Sequence, residues 1–455
     1  MKIAGVSDSA ANAESLPLHY VAKTWWPLAA SWLLMALEMP ALSAVIARLP
    51  DAEIHLAAYG GVVFQLALII ESPIIMLLAA STALSKEWAS YRRLYRFMMT
   101  AGALLTALHL LITLTPLYSL VVEGLIGAPK EIIAPARLGL LVMTPWTWSI
   151  AYRRFNQGVL IRFGHSQTVG VGTLVRLSAN LVVLWIGYNL AQALGAQRVP
   201  GILVGTAAVA AGVMSEAMYV GWVVRPILRH EVRLAPTAEP ALTWRAFFAF
   251  YIPLVMTSLL TLIANPIGSA ALSRMPESLA SLATWPVVTG LIFMLRSMGV
   301  AYNEVVVALL DQRGAYRSLK RFAELLSALT TGLLFLVAAT PLSALWFERV
   351  SALPPFLAHL ARSGLWLALP LPALSVLQSW YQGALLYGRR TRGVSESVVV
   401  YLLVVAALLI AGATWGGAIG LYVGLAAMSA SMAAQTAWLA WRAAPVLAEI
   451  RRRDD

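Results

Sequence analysis

Long apolar runs separated by short polar connections dominate this sequence. A membrane-spanning helix needs about 20 mostly apolar residues, and twelve runs reach that length: 25–47, 57–84, 98–121, 138–158, 166–188, 200–224, 246–272, 283–309, 323–346, 364–386, 394–414 and 417–441. The pattern predicts an all-α integral membrane protein with twelve transmembrane helices in the lipid bilayer. The first 22 residues are small and polar and lack the apolar core of a signal peptide. The longest connection, 225–245, contains RLAPTAEPALTW, with two prolines and few large apolar residues. It reads as a linker between two six-helix lobes. The expected organisation is a tail 1–24, an N-lobe 25–224, the linker, a C-lobe 246–441 and a tail 442–455.

Composition agrees. The chain of 455 residues is 60% hydrophobic and 12% charged, where a soluble domain carries about 25% charged residues. There is no cysteine, so disulfides, thiolate metal sites and iron–sulfur clusters are excluded. The net charge of +12 would suggest nucleic acid in a soluble protein. Here it follows the spans. With the N-terminus and the even-numbered connections on one side, that side holds 24 Lys and Arg, counting Arg153 and Arg154 near the end of span four with it, the other holds 7, and Arg176 and Arg296 lie deep within spans. This bias places both termini and the linker in the cytoplasm, in a multi-pass protein of the cell (inner) membrane. The excess charge sets orientation, and no nucleic-acid partner is expected.

The two lobes repeat each other. WPLAASWLLMALEMPALSAVIARLP (26–50) aligns without gaps to IPLVMTSLLTLIANPIGSAALSRMP (252–276), matching Pro27/Pro253, Pro40/Pro266, Ser43/Ser269, Arg48/Arg274 and Pro50/Pro276 at an offset of 226. YRRLYRF (91–97) aligns to YRSLKRF (316–322), and Pro145/Pro370 and Gln157-Gly158/Gln382-Gly383 follow, at an offset of 225. Each repeat has an even number of spans, so both run the same way through the membrane. Two such bundles related by an axis along the membrane normal enclose a central cavity. A two-lobe chain needs no second copy to make it, and a monomer is expected.

With these residues in view, the chain resembles the multidrug/oligosaccharidyl-lipid/polysaccharide (MOP) exporter superfamily, and its MATE-like members in particular. The Gln-Gly of RRFNQGVLIRFGHS, running into TVGVGTLVRLSANLVVLWIG, and its echo SWYQGALLYGRRTRG carry the likeness. Within the superfamily, LAAYGGVVFQLALIIESPI (56–74), AGALLTALHLLI (101–112) and LIANPIGSAALSRMP (262–276) look most like the progressive ankylosis (ANKH) transporter family. The resemblance spans roughly 25–440. It implies an exporter working by alternating access, and the ankylosis likeness implies organic anions such as nucleotides and citrate.

Ionisable groups at bilayer depth cost at least about 2.5–3.5 kcal/mol and mark function or pairing. The candidates are Glu38, Glu71, His109, Arg176, Glu216, Arg296 and Glu304. Glu71 and Arg296 are repeat equivalents at offset 225, flanked by Ser72/Ser297. They are expected to face each other across the axis, as a substrate-binding cation and a coupling acid or as an ion pair gating the lobes. Gln65 and Asn265 are added as substrate contacts. Glu38 lies two residues before Pro40, which must break its helix; beside that break it is a candidate proton or sodium site. Asn265-Pro266 repeats the break. Arg176 and Glu216 on adjacent spans are expected to pair within the N-lobe. His109 reads as a hydrogen-bonded core residue and Glu304 as a shallow one. Trp25, Trp26, Trp244, Trp346, Trp438 and Trp441 sit near span ends as interface anchors do. Trp146 and Trp148, beside Pro145, are expected to pack.

No Lys follows a Gly, so the phosphate-binding loop of an ATP-driven pump is missing. His230-Glu231 is followed by Val-Arg-Leu, not by a zinc-binding spacing, and G-x-S-x-G is absent. Loop acids (Asp51, Glu53, Glu123, Glu131, Glu277) are scattered, against a membrane-embedded transferase. No cofactor or metal is expected, and the protein is not expected to be an enzyme. The function expected is secondary-active export of small organic anions or amphipathic compounds, coupled to H+ or Na+. A flippase for a lipid-linked saccharide or phospholipid is the alternative.

Overall fold

In a computed structural model, residues 16–195, 197–236 and 241–454 are described. The expected tail residues 1–15, with Lys2, and linker residues 237–240 lie outside them. Among the described residues the chain is helical, with no strand. Twelve long helices cross between two faces: Leu18–Ala47 (span one), Ala52–Leu84 (two), Trp88–Leu114 (three), Lys130–Arg162 (four), Gln167–Leu194 (five), Gly201–Val232 (six), Trp244–Leu272 (seven), Ser278–Leu309 (eight), Ala315–Ala339 (nine), Pro355–Tyr387 (ten), Arg392–Trp415 (eleven) and Gly420–Asp454 (twelve). Ten of these are long and apolar enough to cross a membrane by length and composition alone. Spans four and twelve fall short of that measure for chemical reasons. Span four mixes Arg137, Arg153 and Arg154 with Pro, Thr and Ser along its length, and span twelve intersperses Gly, Ser, Gln and Thr among its apolar residues. The side where Leu18 and Asp454 lie is called the near face, and its opposite the far face.

Prolines punctuate the spans where the sequence placed them. Pro40 and Pro266 each remove an N–H and break their helices, at Leu37 in span one and at Ile263 in span seven. Spans two, eight and ten break at Met76, Ala301 and Leu369–Pro370. Span four keeps Pro145 within an uninterrupted helix, although its equivalent Pro370 breaks span ten. Spans three and nine stop earlier than their apolar runs, before Pro116 and Pro341. The rest of each run folds back as a short far-face helix, Leu117–Ile126 or Leu342–Val350, whose final turns are π-helical.

The repeat is visible down to its irregularities. Asp51 and Glu277, offset by 226, both take the left-handed conformation at φ 54° in the tight far-face turns after Pro50 and Pro276. Such a residue without a glycine's freedom is strained by roughly 1–2 kcal/mol. Further along, the offset falls to 225. Between these points span two holds a π-helical stretch, Ala58–Val63, where span eight is regular α-helix. A π-turn accommodates one extra residue, which accounts for the change.

Gly158 and Gly383 explain the glycine of the repeated Gln-Gly. A Cβ on Gly158 would lie 1.8 Å from Ser81 Oγ and 2.5 Å from the Leu78 carbonyl, and one on Gly383 would lie 2.6 Å from Val306. Only glycine lets span four press on span two, and span ten on span eight.

The lobes consist of spans one to six and seven to twelve, but the near halves of spans one and seven change sides. Leu18–Ala36 packs mainly on spans eight and nine, and Val21, Trp25 and Ala29 join a C-lobe core with Tyr302, Leu319 and Leu326. Trp244–Leu262 packs on span two. The repeated phenylalanines receive these halves: Phe322 meets the Trp25 ring at 5.6 Å and Phe97 meets Tyr251 at 5.2 Å. Trp25 is therefore a buried interlobe residue and not a lipid-interface anchor; the apolar surface that buries it comes from the other lobe. At the near face span six remains helical to Val232, and span twelve continues through the expected tail, where Arg453 donates to the carbonyls of Leu310 at 2.9 Å and Gln312 at 3.2 Å.

Candidate functional site

A cavity of about 540 Å³ lies between the lobes. Its far-face roof is the crossing of spans two and eight. Gly60 lies on Pro286, where a Cβ would come within 2.6 Å, and Gly61 lies on Leu282 at 3.0 Å. Below the crossing span two turns onto span seven, so spans two and eight part.

The walls are largely apolar and aromatic, with Tyr59, Phe64 and Trp146 from the N-lobe and Trp285, Phe293 and Tyr401 from the C-lobe. The charged lining consists of Glu38, Glu71, Arg153, Arg154, Arg176 and Arg296. Five of these six belong to the N-lobe, and behind them lies fully buried Glu216. Glu216 forms a very close ion pair with Arg153, accepts from Gln157 Nε2 at 2.8 Å and lies 3.8 Å from Arg176. The other end of the Arg176 guanidinium holds Glu38 at 3.0 Å, and Asn180 Nδ2 donates to Glu38 at 3.1 Å. The glutamine of the repeated Gln-Gly thus helps hold the acid that organises this cluster. A buried acid between two arginines is tolerated because each charge has partners at short range.

Arg153 and Arg154 are corrections to the sequence reading, which counted them with the near-face charges. Span four is uninterrupted to Arg162, so both lie well inside it, on the cavity wall. Without them the near face still exceeds the far face among the described residues, by 21 to 7. Their position just before Asn156-Gln157-Gly158 was the available signal.

Glu71 and Arg296 both line the cavity but form no ion pair with each other among the described residues. The charges bearing on Glu71 are those of Arg153 and Arg154 in its own lobe, and Arg296 has Tyr401 nearby. The expected opposition fails for a geometric reason. Glu71 lies eleven residues past the crossing at Gly60, about 16 Å along a helix, and spans two and eight diverge over that length. Glu71 Oε1 and Arg296 Nε are buried without a hydrogen-bond partner.

Gln65 lines the wall and donates to the Gly60 carbonyl at 2.8 Å, and its Oε1 has no partner. Asn265 is exposed to the cavity beside the break in span seven. Trp146 also lines it, its indole Nε1 unpartnered, so this residue does more than pack, while Trp148 stacks on Tyr152. His109 sits outside the cavity, within hydrogen-bond distance of Thr147 Oγ1 at 3.0 Å and the Leu140 carbonyl at 2.9 Å. Glu304 is exposed in the near-face part of span eight. Among the described residues no three His, Cys, Asp or Glu cluster to hold a metal ion.

No sequence-family model matches the chain, and no curated relative is detectable by sequence. Solved structures do match along almost the whole length. An inward-facing multidrug-resistance MATE family transporter of the MOP superfamily superposes with a TM-score of 0.62 at 14% identity, covering 97% of both chains. A MOP superfamily transporter from Pyrococcus furiosus, described as having a binding pocket of reversed polarity, superposes at 0.61 and 15% identity over 94% of this chain and 96% of its own. The lipid II flippase MurJ in an inward closed conformation gives 0.60 and 14% over 92% and 89%. At these identities the likeness is one of fold: the chain has the twelve-helix, two-lobe membrane architecture of MATE-type transporters of the MOP superfamily.

Proposed function

We propose that the protein is a secondary-active exporter of small organic anions, working by alternating access of the central cavity. The observation that carries the reading is the distribution of charge. In the N-lobe three arginines (Arg153, Arg154, Arg176) balance three acids (Glu38, Glu71, Glu216). The C-lobe wall contributes one charged group, Arg296, with no carboxylate in ion-pair range among the described residues. A guanidinium held at bilayer depth without a counter-charge is costly, and an anionic cargo supplies that charge. The aromatic walls suit a cargo with an apolar or π-rich body.

In this reading Arg296 contacts the cargo, Gln65 and Asn265 offer it hydrogen bonds, and Glu71 and Glu38 are the coupling acids for H+ or Na+. The near face is taken as cytoplasmic because it holds the excess of Lys and Arg. With the roof closed at Gly60–Pro286, cargo would enter from that side. The anion preference agrees with the ankylosis-type likeness of the sequence.

The test is extracellular metabolite profiling of cells expressing wild type, R296A or R296K at matched membrane levels. Wild type should release organic anions, R296A should release none above background, and R296K should retain part. Release by R296A at the wild-type rate would remove Arg296 from the site. Matching profiles for wild type and empty cells, with the protein folded in the membrane, would overturn export of soluble anions in favour of lipid-linked cargo.

A further inference from the structure

Arg296 is one of two cavity cations of its kind. Arg153 is engaged by Glu216, and Arg176 by Glu38 and Glu216. Arg154, on span four, lines the same cavity, and no carboxylate lies in ion-pair range of it among the described residues. Its Nε, like that of Arg296, is buried and without an acceptor. The two arginines stand on different lobes, one in span four and one in span eight.

The other unpartnered atoms point the same way. Among the cavity-lining residues the buried polar atoms that lack a partner are five N–H donors, on Trp146, Arg153, Arg154, Arg176 and Arg296, against two acceptors, on Gln65 and Glu71; behind the wall Gln157 Oε1 and Asn180 Oδ1 are also unpartnered. A wall so rich in donors is complementary to oxyanions. Guanidinium groups meet carboxylates or phosphates through paired, charge-assisted hydrogen bonds, roughly twice as strong as neutral ones.

We infer that Arg154 is a second cargo-contacting residue, acting with Arg296 from the opposite lobe, so that the preferred cargo carries two acidic groups and bridges the lobes. This rests on the anion reading above and narrows it from anions to dianions. It also gives the cargo a mechanical part: a molecule with one acidic group on each lobe favours the arrangement that keeps both within reach. A monoanion can satisfy only one lobe: bound at Arg296, it leaves Arg154 without a carboxylate in ion-pair range.

The test uses purified full-length protein and two probes of similar body, benzoate with one carboxylate and terephthalate with two at opposite ends. Binding is read as the rise in unfolding temperature with ligand concentration. Wild type should bind terephthalate at least about tenfold more tightly than benzoate, a difference of about 1.4 kcal/mol. R154Q should keep benzoate binding and lose the preference, and R296Q should lose both. R154K, which keeps the charge without the paired donors, should fall between; it also decides the matter if R154Q does not fold. An undiminished preference in R154Q or R154K overturns the assignment. Equal binding of the two probes by wild type overturns the dianion inference alone. Binding of neither probe overturns the anion reading itself.

Discussion

Arg48 and Arg274 occupy equivalent positions in the two repeats, and each gives its guanidinium to the opposite lobe. Arg48 donates to the carbonyls of Arg349 at 2.8 Å and Val350 at 3.0 Å, at the end of the short far-face helix of the C-lobe. Arg274 donates to Ile126 at 2.7 Å, Leu125 at 3.0 Å and Gly124 at 3.4 Å, at the end of the matching N-lobe helix. The carbonyl end of a helix carries partial negative charge, so a cation there is well placed. Gly127 turns away at φ 71°, and a Cβ on it would lie 3.1 Å from the Arg274 guanidinium. The repeat has thus produced a reciprocal clasp across the far-face rim.

Breaking the clasp should open the far face. Even at about 0.5 kcal/mol per bond, five bonds amount to about 2.5 kcal/mol, more than tenfold in the ratio of open to closed forms. The chain has no cysteine, so one introduced at Asn265 reports on the cavity. N265C should react with an impermeant thiol reagent added at the far face several-fold faster when combined with R48A/R274A. Equal rates would show that the Gly60–Pro286 crossing alone holds the roof.

A second exchange lies nearer the other face. Trp25 Nε1 donates to the Met298 carbonyl at 2.9 Å, and its equivalent Tyr251 donates its hydroxyl to the Pro73 carbonyl. Both acceptors stand three residues before the breaks of spans eight and two, at Ala301 and Met76. Y251F removes the bond and keeps the ring, which should cost about 1 kcal/mol of stability. W25F also loses packing and should cost about 1–3 kcal/mol. The two bonds join different pairs of spans, so the double variant should be additive to within about 0.5 kcal/mol in thermal unfolding. A larger coupling would mean that the two exchanged helices move as one.

Much of this was legible in the sequence. The spans, the broken helices at Pro40 and Pro266 and the duplication all follow from period and spacing, because apolar length and missing N–H groups act locally. The one-residue change of offset was legible as a number, but its cause, the π-turn at Ala58–Val63, was not. What escaped was set by tertiary geometry. Arg153 and Arg154 look like orientation charges at the end of a span expected to stop at 158, until the helix runs on unbroken to Arg162 and sets them on the cavity wall. Trp25 looks like an interface anchor until the near half of span one is placed on the other lobe. Glu71 and Arg296 are equivalent in sequence, but helices that cross at one end do not face each other at the other.

Glu216 should be the least replaceable acid in the lobe. It is fully buried and shared by Arg153, Arg176 and Gln157. E216Q leaves two buried guanidiniums short of charge, and removing one member of a buried ion pair costs about 3–5 kcal/mol. E38Q, whose side chain is 18% exposed on the cavity wall, should cost much less, since Asn180 and the cavity remain. Membrane yield and unfolding temperature of the two variants measure the difference. Equal loss would mean that Glu38 shares the structural burden and is a poor candidate for a titrating site.

Glu71 offers the sharpest test of coupling. It lies on the cavity wall almost wholly buried, and the cations bearing on it are Arg153 and Arg154. A cargo anion drawn to Arg154 therefore competes with the Glu71 carboxylate, and protonating Glu71 removes the competitor. Cargo binding and proton binding should favour each other, and by linkage each must raise the affinity for the other by the same factor. E71Q fixes the protonated form. It should bind anionic cargo more tightly than wild type at neutral pH, by a few-fold to about 100-fold, the usual range of such couplings. In proteoliposomes it should exchange labelled anion for unlabelled anion yet no longer respond to an imposed pH gradient. Retained response to that gradient in E71Q would move the coupling site away from Glu71, with Glu38 the acid to examine next.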